Sequence, residues 1–181
     1  MALGVHNFYG PIGVGLLYVH NVIPLLAIQT GGGQEMGLRD GMSNIPYIIV
    51  MTEAFRCVQI KRHQCVAQLL PLQDHLIGRV LEEIPNTRLT GHPTERLPNH
   101  ASFVFEGVDG KALLMMLDMQ GFACSSGSAY KTGNAEPSEV LTVLGLPRSW
   151  ALDSLRVILG YAMAPDDVER LIVVLLKLVD K

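Results

Sequence analysis

From Ala101 to the C-terminus, strand-like and helix-like segments alternate, and this order most limits the folds open to the chain. Ala101 to Phe105 is short and apolar and reads as a strand. Asp109 to Gln120 reads as a helix with Asp109 near its N-cap, and Gly121 just past its end suits a left-handed C′ position. Phe122 to Cys124 is a short strand-like run. Ser138 to Leu144 is helical and stops at Gly145, and Ser154 to Leu159 is again strand-like. Pro165-Asp166-Asp167 opens a last helix ending near Val179, with its acidic residues at the positive end of the helix dipole. Strand, helix, strand, helix, strand, helix predicts an α/β (α+β) domain, a small sheet packed with helices.

The upstream part is less regular. Residues 8 to 19 read as a turn at Gly10-Pro11 leading into a strand, and Pro24 to Arg39 reads as a loop. Its triplet Gly31-Gly32-Gly33 lacks the spacing of a phosphate-binding or dinucleotide loop and suits a turning surface segment. A helix is expected from Ile45, capped by Asn44 with Pro46 in its first turn. Ile48, Met51, Phe55 and Val58 recur at helical spacing and predict one buried stripe. Pro71 is expected to kink or end this helix, with a second run from Leu72 to Glu83. The first 45 residues do not read as a self-contained unit.

Composition narrows the function classes. Net charge is -3 with no basic stripe, which argues against nucleic acid. Lys61-Arg62-His63 is the local basic cluster and reads as a solvated helix face. No apolar run reaches the roughly 18 residues a membrane helix needs, and no signal peptide is evident. Cys57, Cys65 and Cys124 show neither paired nor metal-ligand spacing, so no metal site is expected and a cytoplasmic location fits best. Hydrophobic residues nevertheless make up 49% of the chain. The surplus reads as surface made to meet another domain or subunit.

Five ordered motifs carry a more specific signal. They are Gly4 to Val19 (GVHNFYGPIGVGLLYV), Gly31 to Pro46 (GGGQEMGLRDGMSNIP), Arg96-Leu97-Pro98-Asn99 with Gly107 to Asp118, Phe122 to Leu144 (FACSSGSAYKTGNAEPSEVLTVL), and Ser154 to Gly160 (SLRVILG). Together they resemble, in family order, the cysteine desulfurases, which are class V aminotransferase-like enzymes of pyridoxal-phosphate (PLP) fold type I. The resemblance covers nearly the whole chain but only the C-terminal half of the family pattern. It implies the small C-terminal domain of that fold plus a remnant of the large domain. Residues 1–45 would be the remnant of the large PLP-binding domain, 46–85 connecting helix or helices, and 86–181 the small α/β domain.

The same resemblance shows which chemistry is lost. Asn7 stands at the family's PLP-lysine position, and an amide cannot form an internal aldimine. Gly4 and Met42 replace phosphate-holding serine and threonine. Tyr130 stands at the position of the persulfide-forming cysteine, and a phenol of pKa about 10 cannot take that part. His6 matches a histidine that helps position phosphate, or is an idle exposed side chain. Arg156 matches the arginine that clamps the substrate carboxylate, or serves as a capping arginine. Cys124 reads as a buried, inert thiol rather than a substitute nucleophile, and Ser125, Ser126 and Ser128 read as loop hydrogen-bonders.

The resemblance therefore implies a truncated, catalytically inactive desulfurase homologue with no cofactor expected. Two alternatives stay open: half of a split PLP-dependent transferase or lyase, and an interaction module for sulfur or iron–sulfur assembly partners. A homo-oligomer is expected, and a sulfur-acceptor or iron–sulfur scaffold protein is the candidate partner.

Overall fold

The computed structural model describes residues 1–126 and 136–179. The chain forms two compact units, Met1–His63 and Gln64–Lys181. The division falls inside a helix, whereas the sequence suggested boundaries at 45/46 and 85/86.

In the first unit, β1 (Ala2–Gly4) pairs antiparallel with β2 (Gly15–Leu17), with Ala2 opposite Leu17 and Gly4 opposite Gly15. A 3-10 turn at Val5–Phe8 lies between them. Gly10 returns the chain under this turn. A Cβ there would sit 2.1 Å from Val5 Cγ1 and 3.3 Å from Ala54 Cβ, so only glycine fits. The Phe8 and Phe55 rings meet edge to face at 6.0 Å. Val5 is the one fully buried hydrophobic residue of this unit among the described residues. From Tyr18 to Asn44 the chain holds one further 3-10 turn, Glu35–Gly37, and no strand.

The helix α1 (Ile45–Glu83) has 39 residues, about 58 Å of helix. Asn44 Oδ1 accepts from Tyr47 N at 3.4 Å at its start, as the capping signal predicts. Two expectations fail here. The helix does not end at Pro71 and continues to Glu83 as one element, so the expected second run from Leu72 is part of α1. An interior proline costs about 3 kcal/mol. The residues around it, Leu69, Gln73 and Leu76, are buried, and a leucine-sized burial contributes about 1.5–3 kcal/mol each, which offsets that cost. The predicted stripe of Ile48, Met51, Phe55 and Val58 is not buried; Phe55 is exposed and the others are half-covered. The helical spacing is present, but the first unit covers that face only in part, with Phe8 against Phe55. Lys61, Arg62 and His63 are exposed, as a solvated face requires.

The second unit carries an antiparallel sheet in the order β3 (Thr87–Leu89), β4 (His100–Phe105), β5 (Ser154–Ile158). Ser102 lies opposite Arg156, and Phe103 opposite Leu155. One face is apolar. Ala101, Phe103, Phe105, Leu155 and Val157 pack there with Leu113 and Leu117 of α2 (Gly110–Met119) and Leu171, Ile172 and Leu175 of α5 (Pro165–Val179). Leu76 and Val80 of α1 complete the core. Asp109 Oδ1 accepts from Lys111 N and Ala112 N, so the predicted N-cap is present, and Gly121 has φ +84°. Two short helices, α3 (Glu139–Val143) and α4 (Arg148–Leu152), contribute Leu141 and Ala151 to a small cluster with Val104.

The strands and helices expected after Ala101 are present within a residue or two, with one correction. Phe122 to Cys124 is not a strand. Phe122 N donates to Leu117 O and Cys124 N to Phe122 O, closing a turn that bends the run out of extension. Pairing begins one residue later, as a single bridge between Ser125 and Arg156. The strands β1 and β3 and the helix α4 were not anticipated.

Candidate functional site

The face of the sheet opposite the main core is polar at His100, Ser102 and Arg156, and apolar at Val104, which is covered by Leu141 and Ala151. Strand alternation puts His100 and Ser102 of β4 on one side and Ala101, Phe103 and Phe105 on the other. Arg156, opposite Ser102, shares the polar side. Ser125 pairs along the outer edge of β5: its N–H donates to Arg156 O at 3.1 Å, and Arg156 N–H donates to Ser125 O at 2.6 Å. Arg156 Nη2 also donates to Ser125 Oγ at 3.1 Å, and Ser125 Oγ donates to Ser126 O at 3.3 Å. Arg156 Nε is buried with no hydrogen-bond partner. Among the described residues no carboxylate pairs with this guanidinium. Among the described residues its Nε donor is left over, the condition for receiving a carboxylate or another oxyanion.

Neighbours add to this character. Thr90 Oγ1 donates to Ser102 Oγ at 2.8 Å. Arg96 is spent on structure: its Nη1 donates to His92 O at 2.9 Å and its Nε to His100 O at 3.2 Å. The His100 imidazole is pushed below its ordinary pKa, first by burial and then by the positive charges of Arg96 and Arg156. It therefore stands neutral at pH 7 and adds no charge to a site that already holds two cations.

Cys124 lies just before Ser125. Burial pushes its thiol up to about 11. At pH 7 the thiolate fraction is then on the order of one in ten thousand, which matches the inert reading of this residue. Tyr130 and Ser128 lie outside the described residues.

The remaining predicted positions sit in the first unit. His6 and Asn7 are exposed on the Val5–Phe8 turn. Gly4 immediately precedes them: a Cβ at Gly4 would come within 2.9 Å of His6 Cε1 and 3.2 Å of Asn7 Nδ2. A serine at position 4 thus has no room beside His6 and Asn7 as they stand. The structure brings Gly4, His6 and Asn7 together in one turn. Met42 is 92% exposed and its thioether makes no hydrogen bond that could hold a phosphate. The first lysine in the sequence is Lys61, on α1. With an amide at position 7, no hydroxyl at position 4 and no lysine before Lys61, these residues do not fit PLP in the manner the family resemblance implies.

His100, Ser102 and Thr90 were missed in the sequence. The period-two alternation at the start of HASFVF carried the signal, because polar residues at 100 and 102 mark the side of the strand that does not join the main core. Among the described residues no group of His, Cys, Asp or Glu is placed to hold a metal ion, and no helix is long and apolar enough to cross a membrane.

Comparison with known proteins agrees with the motif reading. The family model of aminotransferase class-V matches residues 1–171. The cysteine desulfurase IscS of Methanosarcina thermophila is 37% identical over 181 residues, which is 100% of this chain and 45% of that protein. Cysteine desulfurase IscS 1 of Archaeoglobus fulgidus is 37% identical over 175 residues, 97% of this chain and 46% of that protein. The solved structure of a NifS-like protein superposes with a TM-score of 0.85 at 23% identity, over 99% of this chain and 46% of that one, and so shows the fold. A second, from Rickettsia africae, gives 0.76 at 25% identity over 88% of this chain and 41% of that one. This chain thus spans about half the length of the curated relatives it matches, and its mixed α/β fold matches part of the NifS-like structures. The chain belongs to the aminotransferase class-V family and is a homologue of its cysteine desulfurases.

Proposed function

We propose that this chain is a desulfurase-type scaffold, corresponding to the C-terminal half of the family, that performs neither PLP chemistry nor sulfur transfer. The observation that carries the reading is Asn7: the turn that would offer a Schiff-base amine offers an exposed amide instead. Gly4 and Met42, where the family pattern has phosphate-holding hydroxyls, support it. The half-buried Cys124, with its thiol near pKa 11, gives no replacement nucleophile. What persists is the polar sheet face. Arg156, with its Nε unpartnered, keeps the capacity to hold a small carboxylate even though no reaction follows.

The test is sulfide release from L-cysteine in the presence of PLP. The reading requires the rate of the protein-containing reaction to equal that of free PLP. Turnover above that background, lost in an Arg156→Ala variant, would overturn it. The interaction-module reading shares the inert scaffold and is favoured by the same intact sheet face. It predicts capture of a sulfur-acceptor or iron–sulfur scaffold protein in a pull-down.

A further inference from the structure

We propose that His100 is the second arm of the Arg156 site and makes it select a small oxyanion carrying two negative charges, bound together with one proton. The inference deepens the reading of Arg156 as a retained anion holder and rests on it. It starts from the register of the sheet. His100 stands opposite Ile158, and Ser102 opposite Arg156. These four residues therefore share the side away from the main core, and His100 is the diagonal neighbour of Arg156. Such neighbours lie about 7–8 Å apart, within reach of a long side chain.

The charge around this pair is one-sided. The charged groups that act on the imidazole are Arg96, from the loop before β4, and Arg156 on β5. From α1 the approach is neutral: Gln73 Nε2 donates to His100 O and to Leu97 O, each at 2.6 Å. Among the described residues no carboxylate pairs with either arginine. Two uncompensated positive charges on one surface are matched by two negative charges on the ligand.

The two arginines divide the work. Arg96 spends its N–H groups on the carbonyls of His92 and His100 and contributes charge alone. Arg156 keeps a buried Nε with no partner and contributes the donor. Ser102 accepts from Thr90 Oγ1 at 2.8 Å and has its own hydroxyl proton to donate. His100 is neutral at pH 7 because burial and both guanidiniums disfavour its charged form. An anion at Arg156 offsets those charges. The unprotonated ring nitrogen then takes a proton from solvent and becomes a further cation and donor for the anion. By linkage, affinity rises as pH falls through the pKa of the liganded state and levels off below that of the free state. A monoanion offsets half the charge and gains less.

Sulfate and methanesulfonate separate charge from shape, since both present oxygens on sulfur and neither titrates between pH 5.5 and pH 7.5. Each is titrated into the 181-residue chain at both pH values, with binding followed by NMR. Sulfate should bind about fivefold more tightly at pH 5.5, and methanesulfonate should show a smaller change. Saturating sulfate should move the titration of the His100 ring resonances to higher pH, a readout that needs no variant. His100→Asn should remove the pH dependence of sulfate binding, and Arg156→Ala should remove binding itself. Sulfate affinity that is the same at both pH values, or equally pH-dependent in His100→Asn, overturns the proposal and leaves the Arg156 reading standing. Binding of neither anion at either pH overturns both.

Discussion

Arg156 and Ser125 are joined by three hydrogen bonds, two between their backbones at 3.1 and 2.6 Å and one from Arg156 Nη2 to Ser125 Oγ at 3.1 Å. This bridge fastens the chain leaving α2 to the edge of β5 and holds the guanidinium on the side of the sheet away from the main core. Replacing Ser125 with Ala removes the hydroxyl and leaves the backbone pair. The expected loss is about 0.5–1.5 kcal/mol in urea-induced unfolding. An unchanged midpoint would mean that Nη2 is satisfied by water and that the hydroxyl plays no fastening part.

Cys124 should resist alkylation. With its thiol near 11, iodoacetamide at pH 7.5 should label Cys57 and Cys65 well before Cys124, as followed by peptide mass analysis. Because burial is the cause, urea should remove the difference. Preferential labelling of Cys124 in the folded protein would show a thiolate that the surroundings described here do not produce.

Stability should depend on pH through His100. Its folded-state pKa lies below the ordinary 6.5 of the unfolded chain, so the unfolded state binds the proton more readily. Stability is then complete above about 6.5 and is lost as pH falls through the folded value. Between pH 7.5 and pH 5, a His100→Asn variant should lose less stability than the parent in parallel urea titrations. Equal losses in both would remove His100 as a cause.

The two units should respond differently to truncation of apolar side chains. Leu76 is fully buried in the core of the second unit, and Leu76→Ala should cost about 2–5 kcal/mol. Ile28 is fully exposed, and Ile28→Ala should change the stability of the isolated chain by no more than about 0.5 kcal/mol. Comparable losses would show that the first unit is covered in solution by self-association.

How much of this was legible in the sequence follows the same division. In the second unit several signals were local and sufficient: Asp109 capped its helix, Gly121 took the left-handed position, and the short apolar run at Ala101–Phe105 formed a strand, whereas β3 and α4 carried no such signal. The continuity of α1 through Pro71 was not legible, because burial of Leu69 and Leu76 against distant elements overrides a local helix breaker. The stripe from Ile48 to Val58 was read as core, and the periodicity was right. A sequence pattern reports which side is made to be covered, and among the described residues of the first unit that cover is partial. Arg156 was found through its motif. Its neighbours on the sheet face were not, because register across strands decides who faces whom.

The central claim is that the turn bearing Gly4, His6 and Asn7 cannot take PLP covalently. The most direct measurement is incubation with excess PLP, reduction with borohydride, removal of free reagent and peptide mass analysis. The account predicts at most scattered, substoichiometric labelling of the exposed Lys61, Lys111 and Lys177, with no visible aldimine band retained on the protein. One pyridoxyl group per chain on a single lysine, accompanied by sulfide release from L-cysteine, would contradict it.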